Sequence, residues 1–236
     1  MNRPALSVRV WDLPTRLFHW SLVLLVLLLW LTGEFGGFSL TLSPPILGDI
    51  YLTNMDIHGL AGQGVLILVA FRILWGLWGS TTARFRHFIR GPGPVLADLK
   101  ALVKGRVTES IGHNPVGGLM VVALLVLLLA QSVTGLFSAD DFFFEGPLAD
   151  RVDESTSETL TGLHHRLFSV LQVLIVAHIV AVLYYLVRGL NLVGPMITGR
   201  KILSRSEKLY FAPGWSALLS LVFAVGGILL LVGDLI

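Results

Sequence analysis

The sequence predicts an all-α integral membrane protein, a four-helix transmembrane bundle followed by a fifth, C-terminal transmembrane helix. Three observations carry that expectation. Of 236 residues, 54% are hydrophobic and only 14% charged, with a mean hydropathy of +0.79; a soluble domain carries far more charge. Five apolar runs, 17–33, 58–79, 115–138, 161–187 and 214–233, come close to the ~20 residues that cross a hydrocarbon core. Basic and acidic residues alternate between the connections, which sets a topology.

The first run is the shortest, and Trp11, Phe18 and Trp20 can anchor its start at the interface. Its basic start and apolar centre resemble a signal peptide. The following WLTGEFGGF offers no small-x-small cleavage pattern, so the expectation is a retained span. The connections then take turns. Arg3, Arg9 and Arg16 precede span one, and Glu34, Asp49 and Asp56 follow it. Arg84, Arg86, Arg90, Lys100, Lys104 and Arg106 lie between spans two and three. Residues 139–160 are acidic through Asp140, Asp141, Glu145, Asp150, Asp153, Glu154 and Glu158. Arg188, Arg200, Lys201, Arg205 and Lys208 follow span four. Fourteen of the seventeen Lys and Arg residues thus share one side, which the positive-inside rule makes cytoplasmic. The N-terminus is expected inside and the C-terminus outside. The basic residues form no single patch, so the pI near 9.2 is not a nucleic-acid signature. Within 80–112, PVLADLKALVK (94–104) fits either a short interfacial helix or a solvated loop.

There is no cysteine. Disulfides, iron–sulfur ligation, thiolate zinc sites and covalent c-type haem attachment are therefore excluded. Any redox cofactor has to be held by histidine and packing.

Seven histidines remain. His87 lies in a basic aromatic loop and reads as interfacial. In span four, His164 and His178 are fourteen residues apart, which is ~21 Å along a helix and within ~40° of one face. His165 points ~100° away from His164. The topology puts His58, at the start of span two, level with His164, and His19, near the start of span one, level with His178. Two imidazoles at one depth suit axial ligation of a haem iron from both faces. Zinc wants three or four ligands, and no third is evident at either level.

Several stretches carry a family resemblance: RLFHW (16–20), HGLAG (58–62), GHNPVGGLM (112–120), the H-x13-H of span four and NLVGPMITGRK (191–201). With them the chain resembles the bacterial cytochrome b561 family, which includes the b-type cytochrome subunits of nickel–iron hydrogenases and formate dehydrogenases. The resemblance covers residues 9 to about 201. It implies a four-helix core holding two haem b groups, one near each membrane face, with His19, His58, His164 and His178 as axial ligands. It also implies electron exchange with a quinone pool and with a periplasmic partner, a c-type cytochrome or a dehydrogenase or hydrogenase subunit. Relatives often carry glutamate where this chain has His165; the fourteen-residue spacing favours His164 as the ligand. On this reading residues 1–236 form a single membrane domain, with 202–236 a linker and the fifth helix. That helix packs the bundle or a partner subunit.

Other residues support the core. Arg72 sits deep in span two, an expensive place for a guanidinium, fourteen residues after His58. It either pairs with a haem propionate or snorkels to the inner surface. His113 precedes Asn114-Pro115, good capping chemistry; it either belongs to the cap or donates to a propionate or a quinone carbonyl. Gly59, Gly62, Gly64, Gly117, Gly118 and Gly135 serve tight helix packing or admit a porphyrin. The acidic loop at 139–160, with its FFF triplet, is a solvated loop or a docking surface for a basic partner. The expected function is membrane electron transfer, as an electron-transfer subunit rather than a complete enzyme, in the bacterial cytoplasmic (inner) membrane with lipid around it. Self-association into a homo-oligomer is left open. Alternatives are a stand-alone quinone-linked oxidase of a small reductant such as superoxide, and a haem-free, histidine-lined metal transporter or membrane anchor.

Overall fold

The computed structural model describes residues 6–44, 49–107, 109–140, 144–204 and 207–233. Arg3, Asp141 and Arg205, together with Phe142 and Phe143 of the FFF triplet, lie outside them. In chain order the elements are β1 (Leu6–Arg9), α1 (Leu13–Glu34), β2 (Ser39–Leu42), β3 (Ile50–Thr53) and α2 (Asn54–Trp78). They continue with α3 (Phe85–Phe88), α4 (Pro92–Val103), α5 (Pro115–Leu136), α6 (Glu154–Val187), α7 (Val193–Thr198), β4 (Arg200–Leu203) and α8 (Gly214–Val232). Five of these, α1, α2, α5, α6 and α8, are long and apolar enough to cross a membrane.

The long helices start where side chains can take up the unpaired N–H groups of a first turn. Asp12 accepts from the Thr15 N–H at 2.8 Å, and Pro14 follows inside the first turn of α1. Thr53 and Asp56 form a capping box on α2. Asn114 accepts from the Gly117 N–H at 3.0 Å ahead of α5, and Asp153 accepts from the Thr156 N–H at 3.0 Å ahead of α6. That last cap starts α6 at Glu154, within the stretch the sequence assigns to the acidic loop. The helix is therefore 34 residues long, ~51 Å at 1.5 Å per residue, well beyond a ~30 Å hydrocarbon core.

Helix α2 is the centre of the packing, in contact with α1, α5 and α8, while α5 pairs with α6. Val65, Val69 and Trp75 of α2 are buried to within 1%. They cluster with Phe18 of α1, Leu125 and Leu128 of α5, Leu171 of α6 and Ala224 of α8. The fifth helix therefore packs the bundle itself, and the Trp78 indole donates to Ser220 Oγ at 3.0 Å. Outward faces carry exposed Leu24, Val126, Val173 and Leu230, as contact with lipid tails requires. The stretch read as helix or loop is helical: it forms α4. Its Asp98 accepts from the Val116 N–H and from Asn114 Nδ2, pinning α4 to the start of α5.

Two small ribbons are not legible in the sequence. At the end of the bundle rich in Lys and Arg, here the basic end, β1 pairs antiparallel with β4, Leu6 opposite Leu203 and Arg9 opposite Arg200. At the opposite, acidic end, β2 pairs with β3. The first ribbon covers the basic end, where Val10, Trp11 and Leu203 form a separate core. Thr82 Oγ1 donates to the Val10 carbonyl at 2.6 Å and the Trp20 indole to the Met196 carbonyl at 3.0 Å. Asp12 is the pivot, only 2% exposed. Its second oxygen accepts from the Trp75 indole at 3.1 Å. Asp12→Ala loses a cap and leaves a buried indole N–H unpaired, an expected destabilisation of roughly 2–4 kcal/mol. Thermal unfolding in detergent checks it, and an unchanged midpoint would contradict it.

Candidate cofactor sites

At the acidic end, His58 in the second turn of α2 faces His164 in the third turn of α6. Their ring centroids are 6.4 Å apart at an interplanar angle of 72°. Two imidazoles sharing one metal hold their centres ~6 Å apart, twice the ~2 Å metal–nitrogen distance plus two ring radii. The spacing fits.

The protons on these rings are assigned by their partners. His164 Nδ1 lies 2.9 Å from the Gln131 carbonyl, which only accepts, so Nδ1 carries the hydrogen. Nε2 is then bare, and the Gln131 amide donates to it at 3.0 Å. His58 Nδ1 lies 3.0 Å from Thr32 Oγ1. That hydroxyl donates to the Leu28 carbonyl at 2.8 Å, so it accepts from His58 and leaves that Nε2 bare as well. A bare Nε2 with its Nδ1–H tied down is the state in which histidine ligates a metal. Beside the pair is a cavity of about 480 Å³, bordered by Gly59, Gly62, Gly135, Leu128, Phe144 and Phe168. Phe144, third of the FFF triplet, turns inward against Gly59.

At the basic end, His19 of α1 and His178 of α6 are close enough to feel each other's charge. His113 lies between Trp11 and Phe88, with ring centroids at 4.8 and 4.7 Å. It is half-buried, and desolvation there, with Arg72, His178 and His19 nearby, pushes its imidazole down to about 3, so it is neutral at ordinary pH. Arg72 is 2% exposed; its guanidinium lies over the rings of Phe85 and Phe88 at 5.1 and 5.8 Å. It does not snorkel to the surface. Buried polar atoms without a hydrogen-bond partner among the described residues concentrate here: Thr15 Oγ1, Arg16 Nε, His19 Nδ1, Arg72 Nη1 and His113 Nδ1. Buried polar groups are ordinarily paired. A cofactor bringing a metal and carboxylates would supply the partners these atoms lack among the described residues.

A family model described as prokaryotic cytochrome b561 matches residues 10–199. The chain belongs to the prokaryotic cytochrome b561 family. It is thus a b-type membrane cytochrome, with haem b as its class of cofactor. Curated relatives include a probable Ni/Fe-hydrogenase B-type cytochrome subunit of Rhizobium leguminosarum bv. viciae, 25% identical, covering 85% of this chain and 91% of that one. Proteins of the same description from Azotobacter vinelandii (26% identical; 84% and 89% covered) and Azotobacter chroococcum mcd 1 (28% identical; 64% and 67% covered) are also similar. No solved structure matches the chain.

Within this b561-family chain the six glycines divide. Gly59, Gly62 and Gly135 border the cavity. Gly64 meets Leu25, Gly117 the Asn114 cap and Gly118 the Phe88 backbone, where a Cβ would sit 2.7 Å from a carbonyl oxygen. Half serve space beside the histidine pair and half serve packing. His165 is exposed and borders the same cavity, its ring centroid 6.3 Å from that of His164. Sequence reasoning missed Thr32, Gln131 and Thr134, whose atoms fix the two rings. Their one visible signal is a Thr-Gly pair near the end of both span one and span three. Among the described residues, no group of three or more His, Asp or Glu side chains is placed to hold a metal ion.

Proposed function

We propose that this cytochrome is a dihaem electron carrier of the bacterial inner membrane. It would link a periplasmic redox partner at its acidic end to the quinone pool. The observation that carries the reading is the facing pair His58 and His164, 6.4 Å apart with both Nδ1 hydrogens engaged. Haem, when bound, supplies a reversible one-electron change at iron. The chain's own residues do the rest. His58 and His164 hold one group, and His19 and His178 the other. Arg72 and His113 would donate to propionates, a reading supported by Arg72 Nη1 and His113 Nδ1 having no hydrogen-bond partner among the described residues. The bundle core keeps water away, and Phe144 lines the acidic-end cavity. The charge bias favours a cytoplasmic N-terminus and a periplasmic C-terminus. The relatives' names point to a Ni/Fe-hydrogenase as the partner, and the acidic end offers a surface that would steer a basic partner. The two-by-two placement of histidines favours haem over a path for bare metal ions.

The test is spectroscopic. Protein purified in detergent is expected to give a b-type reduced-minus-oxidised spectrum, with close to two haems per chain, and to be reduced by an added quinol. A haem-to-protein ratio near zero would overturn the reading. Full activity towards superoxide with no co-purifying partner would favour a stand-alone oxidase instead.

A further inference from the structure

Thr32 on α1 and Thr134 on α5 occupy matching positions. Each hydroxyl donates back to the carbonyl four residues earlier, Thr32 to Leu28 at 2.8 Å and Thr134 to Ala130 at 2.9 Å. Each thereby turns a lone pair towards an Nδ1 on the neighbouring helix, His58 at 3.0 Å and His164 at 3.3 Å. In both cases the carbonyl three residues before the threonine also takes part. Gln131 O lies 2.9 Å from His164 Nδ1, and the Leu29 carbonyl, which accepts from Thr32 Oγ1 at 3.2 Å, lies near enough to act on the His58 ring.

A carbonyl inside a helix already accepts from the N–H four residues on. For Leu29 and Gln131 those residues are Gly33 and Gly135. A side chain there would cover the carbonyl and strike the ring. A Cβ on Gly33 would sit 3.2 Å from His58 Cε1, and one on Gly135 would sit 2.9 Å from His164 Cε1. The same Thr-Gly arrangement therefore occurs twice, on two helices, against two histidines. At the basic end no such support for His19 is found among the described residues, where its buried Nδ1 has no hydrogen-bond partner.

We infer that Thr32-Gly33 and Thr134-Gly135 form a duplicated imidazole seat that orients His58 and His164 by accepting the hydrogen on each Nδ1, so that each Nε2 is presented bare to one iron. The four are positioning residues. An Nδ1–H held by acceptors raises the basicity of the ligating nitrogen, which favours the ferric state. The Gln131 amide, which donates to His164 Nε2 here, is the group that iron would displace.

This inference rests on the assignment of His58 and His164 as a ligand pair. The experiment is a redox titration, with the low-spin ferric electron paramagnetic resonance signal recorded in parallel, on wild type and on Thr32→Val and Thr134→Val. Valine keeps the shape and removes the hydroxyl acceptor; the Gln131 carbonyl stays 2.9 Å from His164 Nδ1, so the larger effect is expected from Thr32→Val. The acidic-end haem should become easier to reduce, with about a tenfold change in its oxidised-to-reduced ratio at fixed potential, ~59 mV for one electron. The basic-end haem should stay where it was, and Thr→Ser at either position should restore the wild-type midpoint and signal. Gly135→Ala should lose the acidic-end haem more readily than Gly33→Ala, following the tighter approach. If a valine variant loses that haem outright, recovery by serine supports the seat and non-recovery overturns it. An unmoved midpoint and signal in both valine variants, with His164→Ala still removing one haem, would overturn the seat and leave the ligand assignment standing. Full pigment in His164→Ala would overturn both.

Discussion

His164→Ala is expected to retain about half of the haem of the wild-type protein, and His178→Ala the other half, by the pairing of ligands at two levels. The two halves should differ in spectrum and midpoint, because their surroundings differ. On the proposed reading one would lie at the acidic end beside the 480 Å³ cavity, the other near the buried Arg72 guanidinium. The stronger form of this prediction is a pattern of non-additivity. His58→Ala should match His164→Ala, and combining them should cost little more, since one lost ligand already empties the site. Combining His164→Ala with His178→Ala should leave almost no pigment. His165→Ala should keep both haems, since its exposed ring only borders the cavity. Pigment counted per chain by a pyridine haemochrome assay decides it. Loss of both haems in every single variant would contradict independent sites.

Arg72→Leu should lower the midpoint potential of the basic-end haem and weaken its retention. A positive charge near the iron stabilises the electron-rich state, so its removal disfavours reduction. The guanidinium is buried between α2 and the rings of Phe85 and Phe88, with Nη1 unpartnered. Asp12 is near enough to act on it electrostatically, but Asp12 already caps α1 and accepts from Trp75. Breaking a buried, hydrogen-bonded charge pair costs ~3–5 kcal/mol, so the loss should be visible as haem release on mild heating. Arg72→Lys should recover part of the potential but not the two-pronged contact. A titration unchanged by Arg72→Leu would mean that this charge serves the fold rather than a propionate.

What the sequence revealed and what it hid follow one physical division. Apolar runs and the rise of a helix are local quantities. The five spans, and the levels of His19, His58, His164 and His178, could be read by counting residues. The supports of the histidines could not. Thr32 and Thr134 look like ordinary small polar residues of membrane helices, and only the neighbouring helix shows what their hydroxyls face. The start of α6 was hidden because EST–SET is polar and reads as loop until the Asp153 cap is seen. The β1–β4 ribbon was hidden for the strongest reason: its strands are short and far apart in the chain, and neither has meaning without the other.

That ribbon also orders events during synthesis. Arg9 lies opposite Arg200, so the first strand has no partner until some 190 residues later. At about 5–20 residues per second this is a wait of roughly 10–40 s. Through that interval His19 and His113 have been made, but the cover formed by Val10, Trp11 and Leu203 has not closed. The acidic-end histidines meet without any such late strand. The basic end is thus covered late, since Val10 and Trp11 pack against Leu203 only after residues 200–203 have been made.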